Sequence, residues 1–217
     1  MSANIEPYAG KDLGENTFTC TAKMVDDYCV GLAVDPGRYG DASTWGEPAA
    51  PAMIVGDVDG GFNGARFSNA FGNLWMRQEW EFNQPIFCER EYRRTSRVMD
   101  IYEWRNRTVV KQLIELFDDS GEPVVRGTHH QSYLLSQTSG KVALRDPTKK
   151  EGVRKFDIPD GERIESVERA IDLEMCGVFF HGDKNYHTDK TASEELGFEE
   201  VVVGGKMTMS LIGDMLE

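Results

Sequence analysis

The sequence predicts an α+β domain built on one long, curved antiparallel sheet, and three observations support that fold class. Residues 74–135 are enriched in Val, Ile, Tyr, Trp and Thr, and they alternate in part between apolar and polar. Turn-forming residues interrupt them at strand-length intervals, at Arg105-Asn106 and at Asp118-Asp119-Ser120-Gly121. The stretches on either side are helical or glycine-rich, which segregates helix from sheet instead of alternating them.

Taken in order, residues 1–15 are polar and contain glycine, and read as a flexible arm. TFTCTA at 17–22 reads as a short strand. The helix that follows, MVDDYCVGLAV, places Met24, Tyr28 and Leu32 at i, i+4 and i+8 on one face. From Asp35 to Gly64 the chain is rich in Gly, Pro, Ala and Asp; a helix around Pro51–Val58 is expected there but weakened by Gly56 and the glycines after it. Four strands come next, WMRQEWEFN, CEREYRRTSRVMDIYEW, RTVVKQLIELFDD and PVVRGTHHQSYLL. They complete a first domain over 16–137. Residues 138–163 lack apolar periodicity and carry Gly140, Pro147, Gly152 and Pro159, the composition of a linker. A second unit spans 164–217. Within it ESVERAIDLEMCGVFF mixes helical and strand character, a short helix opens with Thr188 as N-cap and closes at Gly197, and Gly204-Gly205 leads into a last apolar helix, KMTMSLIGDML.

Composition narrows the function classes. The chain has 217 residues, 40% hydrophobic and 28% charged, with a formal net charge of −13. That charge opposes general nucleic-acid binding, which requires a concentrated basic surface. The one basic cluster, Arg90, Arg93, Arg94 and Arg97, reads first as the solvated face of a strand and second as an anion site. No run approaches the roughly 18 apolar residues of a spanning helix, and no secretory signal is seen, so a cytoplasmic protein without a membrane partner is expected. Cys20, Cys29, Cys88 and Cys176 are far apart with no C-x-x-C pair, which predicts reduced thiols and neither a zinc site nor a disulfide framework.

The chemistry is concentrated in HGDKNYHTDKTASEELGFEEVVVGGKMTMS. Asp183 and His187 lie four residues apart at the mouth of a helix, where a carboxylate and an imidazole can handle one water between them. The helix N-terminus at Thr188 would disfavour protonation of His187 and keep it available as a base. The Gly204-Gly205 pair could present a backbone N–H to a thioester carbonyl at the start of the last helix. A calcium loop through Asp183, Asn185, His187 and Asp189 fits poorly, because His stands where an oxygen ligand belongs and Thr188 where the sharp turn needs Gly. Capping and surface roles for Asp183 and His187 remain the plain alternative. His129-His130 fall within one strand and point to opposite faces, one read as surface and the other as core. Lys206 after two glycines does not meet the phosphate-loop pattern.

G-D-x-N-x-H, then a helix containing Ala192, then L-G-F, an apolar run and a glycine pair resembles the active-site segment of the MaoC-like, or (R)-specific, enoyl-CoA hydratases and dehydratases. The stretches APAMIV, RQEWEFNQPI and RRTSRVMDIYEWRNRTVVKQLIELFDDSGEPVVRG are similar to the non-catalytic first hot dog of double-hot-dog members. The resemblance implies a hot-dog fold, a long antiparallel sheet around a helix, with a second, incomplete hot dog at the C-terminal end. It implies hydration of a trans-2-enoyl-CoA to a 3-hydroxyacyl-CoA, or the reverse, without a cofactor or metal. On this resemblance Asp183 and His187 activate water, Asn185 shapes the loop, and Gly204 and Gly205 contact the substrate with the Gly205 amide as oxyanion donor. The family motif has one more residue, a proline, between Asn and His, so Tyr186 stands in a shortened loop. The sheet that should wrap the last helix is expected from a second hot-dog chain, in a homo- or hetero-oligomer. A non-catalytic acyl-CoA-binding accessory subunit is the other function the same residues allow.

Overall fold

The protein is described from a computed structural model, over residues 6–41, 43–143, 160–162 and 166–216. Five strands form one antiparallel sheet: β1 (Asp12–Thr19), β2 (Leu74–Phe82), β3 (Glu91–Trp104), β4 (Arg107–Phe117) and β5 (Pro123–Tyr133). Their order is β1-β3-β4-β5-β2. Helix α1 (Ala22–Leu32) and a run of short turns, with α2 (Val55–Val58) at its centre, occupy the crossover from β1 to β2. Helices α3 (Leu173–Phe179), α4 (Lys190–Glu195) and α5 (Gly205–Leu216) complete the chain. This is the α+β hot-dog arrangement. Among the described residues, 166–216 contribute helices and no strand.

Each boundary has a local cause. Thr21 caps α1 by accepting from the Met24 N–H, and Ala33 ends it in the left-handed region. Tyr28 and Leu32 are buried as their spacing predicts, with Met24 partly buried beside them. The β3–β4 hairpin turns at Arg105, which has a positive φ, and the β4–β5 turn is held by Asp118, whose Oδ1 accepts from the N–H groups of Ser120 and Glu122. The core lies between the sheet and the helices. Phe18, Tyr92, Ile114, Leu116 and Val125 from the sheet meet Leu32 of α1, Val55 and Val58 of α2, Phe179 of α3 and Met207 of α5.

Three expectations are corrected. The arm expected over 1–15 is structured from residue 6 onward: β1 begins at Asp12, and the Gly10 N–H donates to the Val98 carbonyl. Order there comes from pairing with β3, which composition does not record. The N-cap of α4 is Asp189, not Thr188, because Asp189 accepts from the Ala192 N–H while the Thr188 hydroxyl is committed to the preceding loop. Arg90, Arg93 and Arg94 do not share one solvated face. Arg90 pairs with Glu47 and Arg93 with Glu15, while Arg94 is buried and donates to the Val58 carbonyl. Most of the expected linker, 144–159 and 163, lies outside the described residues.

Candidate active site

The loop between α3 and α4 is tied together by its own polar groups. The Asn185 Oδ1 accepts from the His187 N–H, and its Nδ2 donates to the Asp183 carbonyl. The Thr188 hydroxyl donates to the Asp183 carbonyl and accepts from the Asn185 N–H. Asn185 is therefore spent on the turn. These side-chain bonds fix the loop.

His187 is held from three sides. Its ring stacks on Phe180 with centroids 4.8 Å apart and touches the Tyr186 ring, and its Nδ1 lies 2.7 Å from the Val202 carbonyl. A carbonyl oxygen only accepts, so Nδ1 carries the proton and the lone pair is on Nε2. Burial lowers the His187 pKa, the Val202 carbonyl opposes that shift in part, and the Lys206 charge adds to it. The downward shift comes from burial and Lys206, with no helix end at Thr188.

A cavity of about 420 Å³ brings the expected residues together: Asp183, Asn185, His187 and Gly205 all line it. Asp183 is exposed, and its carboxylate makes no hydrogen bond or ion pair with the described residues. Gly204 sits just behind; a Cβ there would meet the Phe180 ring at 2.5 Å and the His187 Cγ at 3.7 Å. Its carbonyl accepts from the Met207 and Thr208 N–H groups, which leaves the Gly205 N–H at the open end of α5 without a described partner.

The opposite wall was not read from the sequence as a site. Asp59, after α2, is buried with its Oδ2 2.7 Å from the His129 Nδ1, and the His129 Nε2 meets the Gln131 Oε1. His129 stacks on Trp75, with centroids 5.4 Å apart. Burial pushes the Asp59 carboxyl up, but His129, Lys206 and Arg66 outweigh it and hold it below its ordinary range. Arg66 lines this wall and also a second cavity of about 750 Å³ that shares Asp59, His129 and Gln131 with the first. One feature in the sequence could have revealed the wall. Gln112, His129 and Gln131 occupy inward positions of their strands, where an apolar core would alternate only with solvent-facing polar groups.

Comparison with known proteins agrees at the level of the fold. No family model matches the chain, and no curated protein matches by sequence. Among solved structures, a MaoC-like dehydratase aligns at 15% identity and a TM-score of 0.67, covering 99% of this chain and 77% of that one. A MaoC-like dehydratase from Phytophthora capsici aligns at 16% identity and a TM-score of 0.62, covering 95% of this chain and 74% of that one. The full-length peroxisomal multifunctional enzyme type 2 from Drosophila melanogaster aligns at 18% identity and a TM-score of 0.60, over 91% of this chain and 35% of the longer one. The chain therefore has the fold of the MaoC-like dehydratases. None of its described helices is long and apolar enough to cross a membrane.

Proposed function

We propose that this chain is a hydro-lyase that adds water to a trans-2-enoyl-CoA thioester, or removes it from the 3-hydroxyacyl-CoA, with Asp183 and His187 handling the water. One observation carries the reading: a half-buried His187, its pKa lowered and its lone pair on Nε2, shares a cavity with an uncommitted Asp183 carboxylate and the Gly205 amide. In the hydration direction, Asp183 orients a water and the water oxygen bonds to C3. His187 Nε2 takes one water proton, and a proton is returned to C2 on the same face. The negative charge that develops on the thioester oxygen meets the Gly205 N–H at the positive end of α5. The scheme requires no cofactor.

Mutagenesis tests it. Asp183→Asn and His187→Ala should each lower the hydration rate about 10²-fold or more, with thermal unfolding little changed. Wild-type rates in both variants would remove the pair from the chemistry.

We also assign the outward face of α5 to a second hot-dog chain. Ile212 is 57% exposed and Leu216 74%, with Met215 beside them, a row of apolar side chains that is stabilised by cover. Light scattering of the purified protein should give an oligomer that Ile212→Glu dissociates. A monomer active at full rate would refute this assignment.

A further inference from the structure

The inner face of the sheet beneath the cavities is polar where a site for a fatty chain would be apolar. Gln112 of β4 pairs across the ladder with His129 of β5, which in turn faces Gln78 of β2, so three polar side chains cross the middle of the sheet in one row. Gln112 donates to the Ser96 hydroxyl and Gln131 to the Asn73 Oδ1, and Asn73, Ser96, Gln112 and Gln131 are all buried. The Tyr133 phenol lines the larger cavity and is buried without a hydrogen-bond partner. An alkyl chain laid on this floor would offer the Tyr133 phenol and the Gln78 amide no partner, and a buried polar group left unpaired costs about 1–3 kcal/mol.

Charge points the same way. In a chain of net charge −13, the two joined cavities are lined by Lys11, Arg66 and Lys206 against Asp59 and Asp183. Asp59 is already balanced by His129, and Lys206 stands 3.9 Å from its Oδ1. Arg66 is different. It lines both cavities, its charge acts on Asp59, Tyr133 and Tyr186, and it makes no hydrogen bond or ion pair with any described residue. A guanidinium presents its donors in a planar fork that fits a carboxylate with two parallel bonds.

We infer that the site selects thioesters whose acyl group ends in a carboxylate, and that Arg66 is the specificity-determining residue that receives it. This deepens the hydratase reading and rests on it: a thioester held beside His187 reaches Arg66 and the polar floor through the residues the two cavities share. The CoA phosphates are the other anionic groups Arg66 could meet, and the test separates them from the acyl end.

Binding is measured with unreactive saturated ligands, so that it does not depend on turnover. Glutaryl-CoA and pentanoyl-CoA, which differ at the acyl terminus, are titrated calorimetrically into wild type, Arg66→Met and Arg66→Lys. Wild type should bind glutaryl-CoA about tenfold or more tightly, the size of one charge-assisted contact. Arg66→Met should abolish that preference by weakening glutaryl-CoA alone, and Arg66→Lys should retain part of it. Equal weakening of both ligands would mean that Arg66 meets the CoA phosphates, and no change in either would make it a solvated surface residue; each result overturns the inference. A wild type that shows the preference yet hydrates no enoyl-CoA would instead count against the hydratase reading alone.

Discussion

Two histidines face the same cavity from opposite walls, and the atom opposite Nδ1 sets them apart. His129, on the sheet, has its Nδ1 against the buried carboxylate of Asp59 and its ring against Trp75. His187, on the helical wall, has its Nδ1 against a backbone carbonyl and its ring between Phe180 and Tyr186. The hydrogen-bonded Asp–His pair in this cavity is therefore not the pair assigned to the chemistry. A carboxylate bonded directly to an imidazole leaves no room for a water between them, so Asp59 and His129 act as a rigid charged wall. Asp183 and His187 make no such bond with each other.

The comparison breaks most visibly at Asp59. Asp59→Ala leaves His129, Lys206 and the buried Arg94 without their shared counter-charge, and removing one partner of a buried pair costs about 3–5 kcal/mol. Urea denaturation should show that loss, with Asp59→Asn retaining more of the stability. A stable Asp59→Ala protein would mean that the sheet wall is not the frame of the site.

A third histidine outside the cavity supplies a control. The His181 Nδ1 is 2.7 Å from Asp27 and its Nε2 3.5 Å from Asp57, which clasps the end of α3 to α1 and α2. Its bond to Asp57 outweighs burial, and with Asp27 it raises the pKa to about 9. Because the folded value lies above the ordinary 6.5, the clasp contributes fully below pH 6.5 and is lost as pH rises through about 9. Stability measured from pH 6 to 9.5 should fall by about 2 kcal/mol more in wild type than in His181→Asn. Parallel curves would show that the clasp is not formed.

Gly204→Ala probes the helical wall. The added methyl would sit 2.5 Å from the Phe180 ring, so the ring that stacks on His187 must move. Such overpacking costs about 1–3 kcal/mol. The hydration rate should fall together with stability, whereas a loss of stability alone would mean that Phe180 does not position the imidazole.

The sheet was legible because its strands are long, rich in β-branched and aromatic residues and separated by turns. The helical wall was legible because it is contiguous: Asp183, Asn185, His187 and the two glycines lie within 23 residues of one another. The other wall was not, since Asp59, Arg66 and His129 come from separate parts of the chain and meet only when β5 is laid against the turns after α2. Nothing in the local pattern around Asp59, a glycine-rich stretch, records that its carboxylate will be buried. Thr188 was misread as a cap for a related reason. Thr188 and Asp189 are adjacent and both suit an N-cap, and the Asp183 carbonyl decides between them by engaging the threonine hydroxyl.

The finest test of the two walls is Lys206, whose ammonium lies between them, near Asp57 and Asp59, and whose charge acts on His187. Burial sets most of the downward shift of the His187 pKa, and Lys206 adds the rest by repelling a second positive charge. The base form of His187 should therefore persist to a pH below the ordinary histidine value, and the acid limb of kcat/KM in wild type should lie on that side of 6.5. Lys206→Met removes the repulsion. That change favours the imidazolium, so the acid limb should move to higher pH, toward the ordinary value but not past it, because burial against Phe180 and Tyr186 remains. An acid limb that stays in place would mean that the charge of the sheet wall does not reach His187, and the two histidines would then share a cavity without sharing a field.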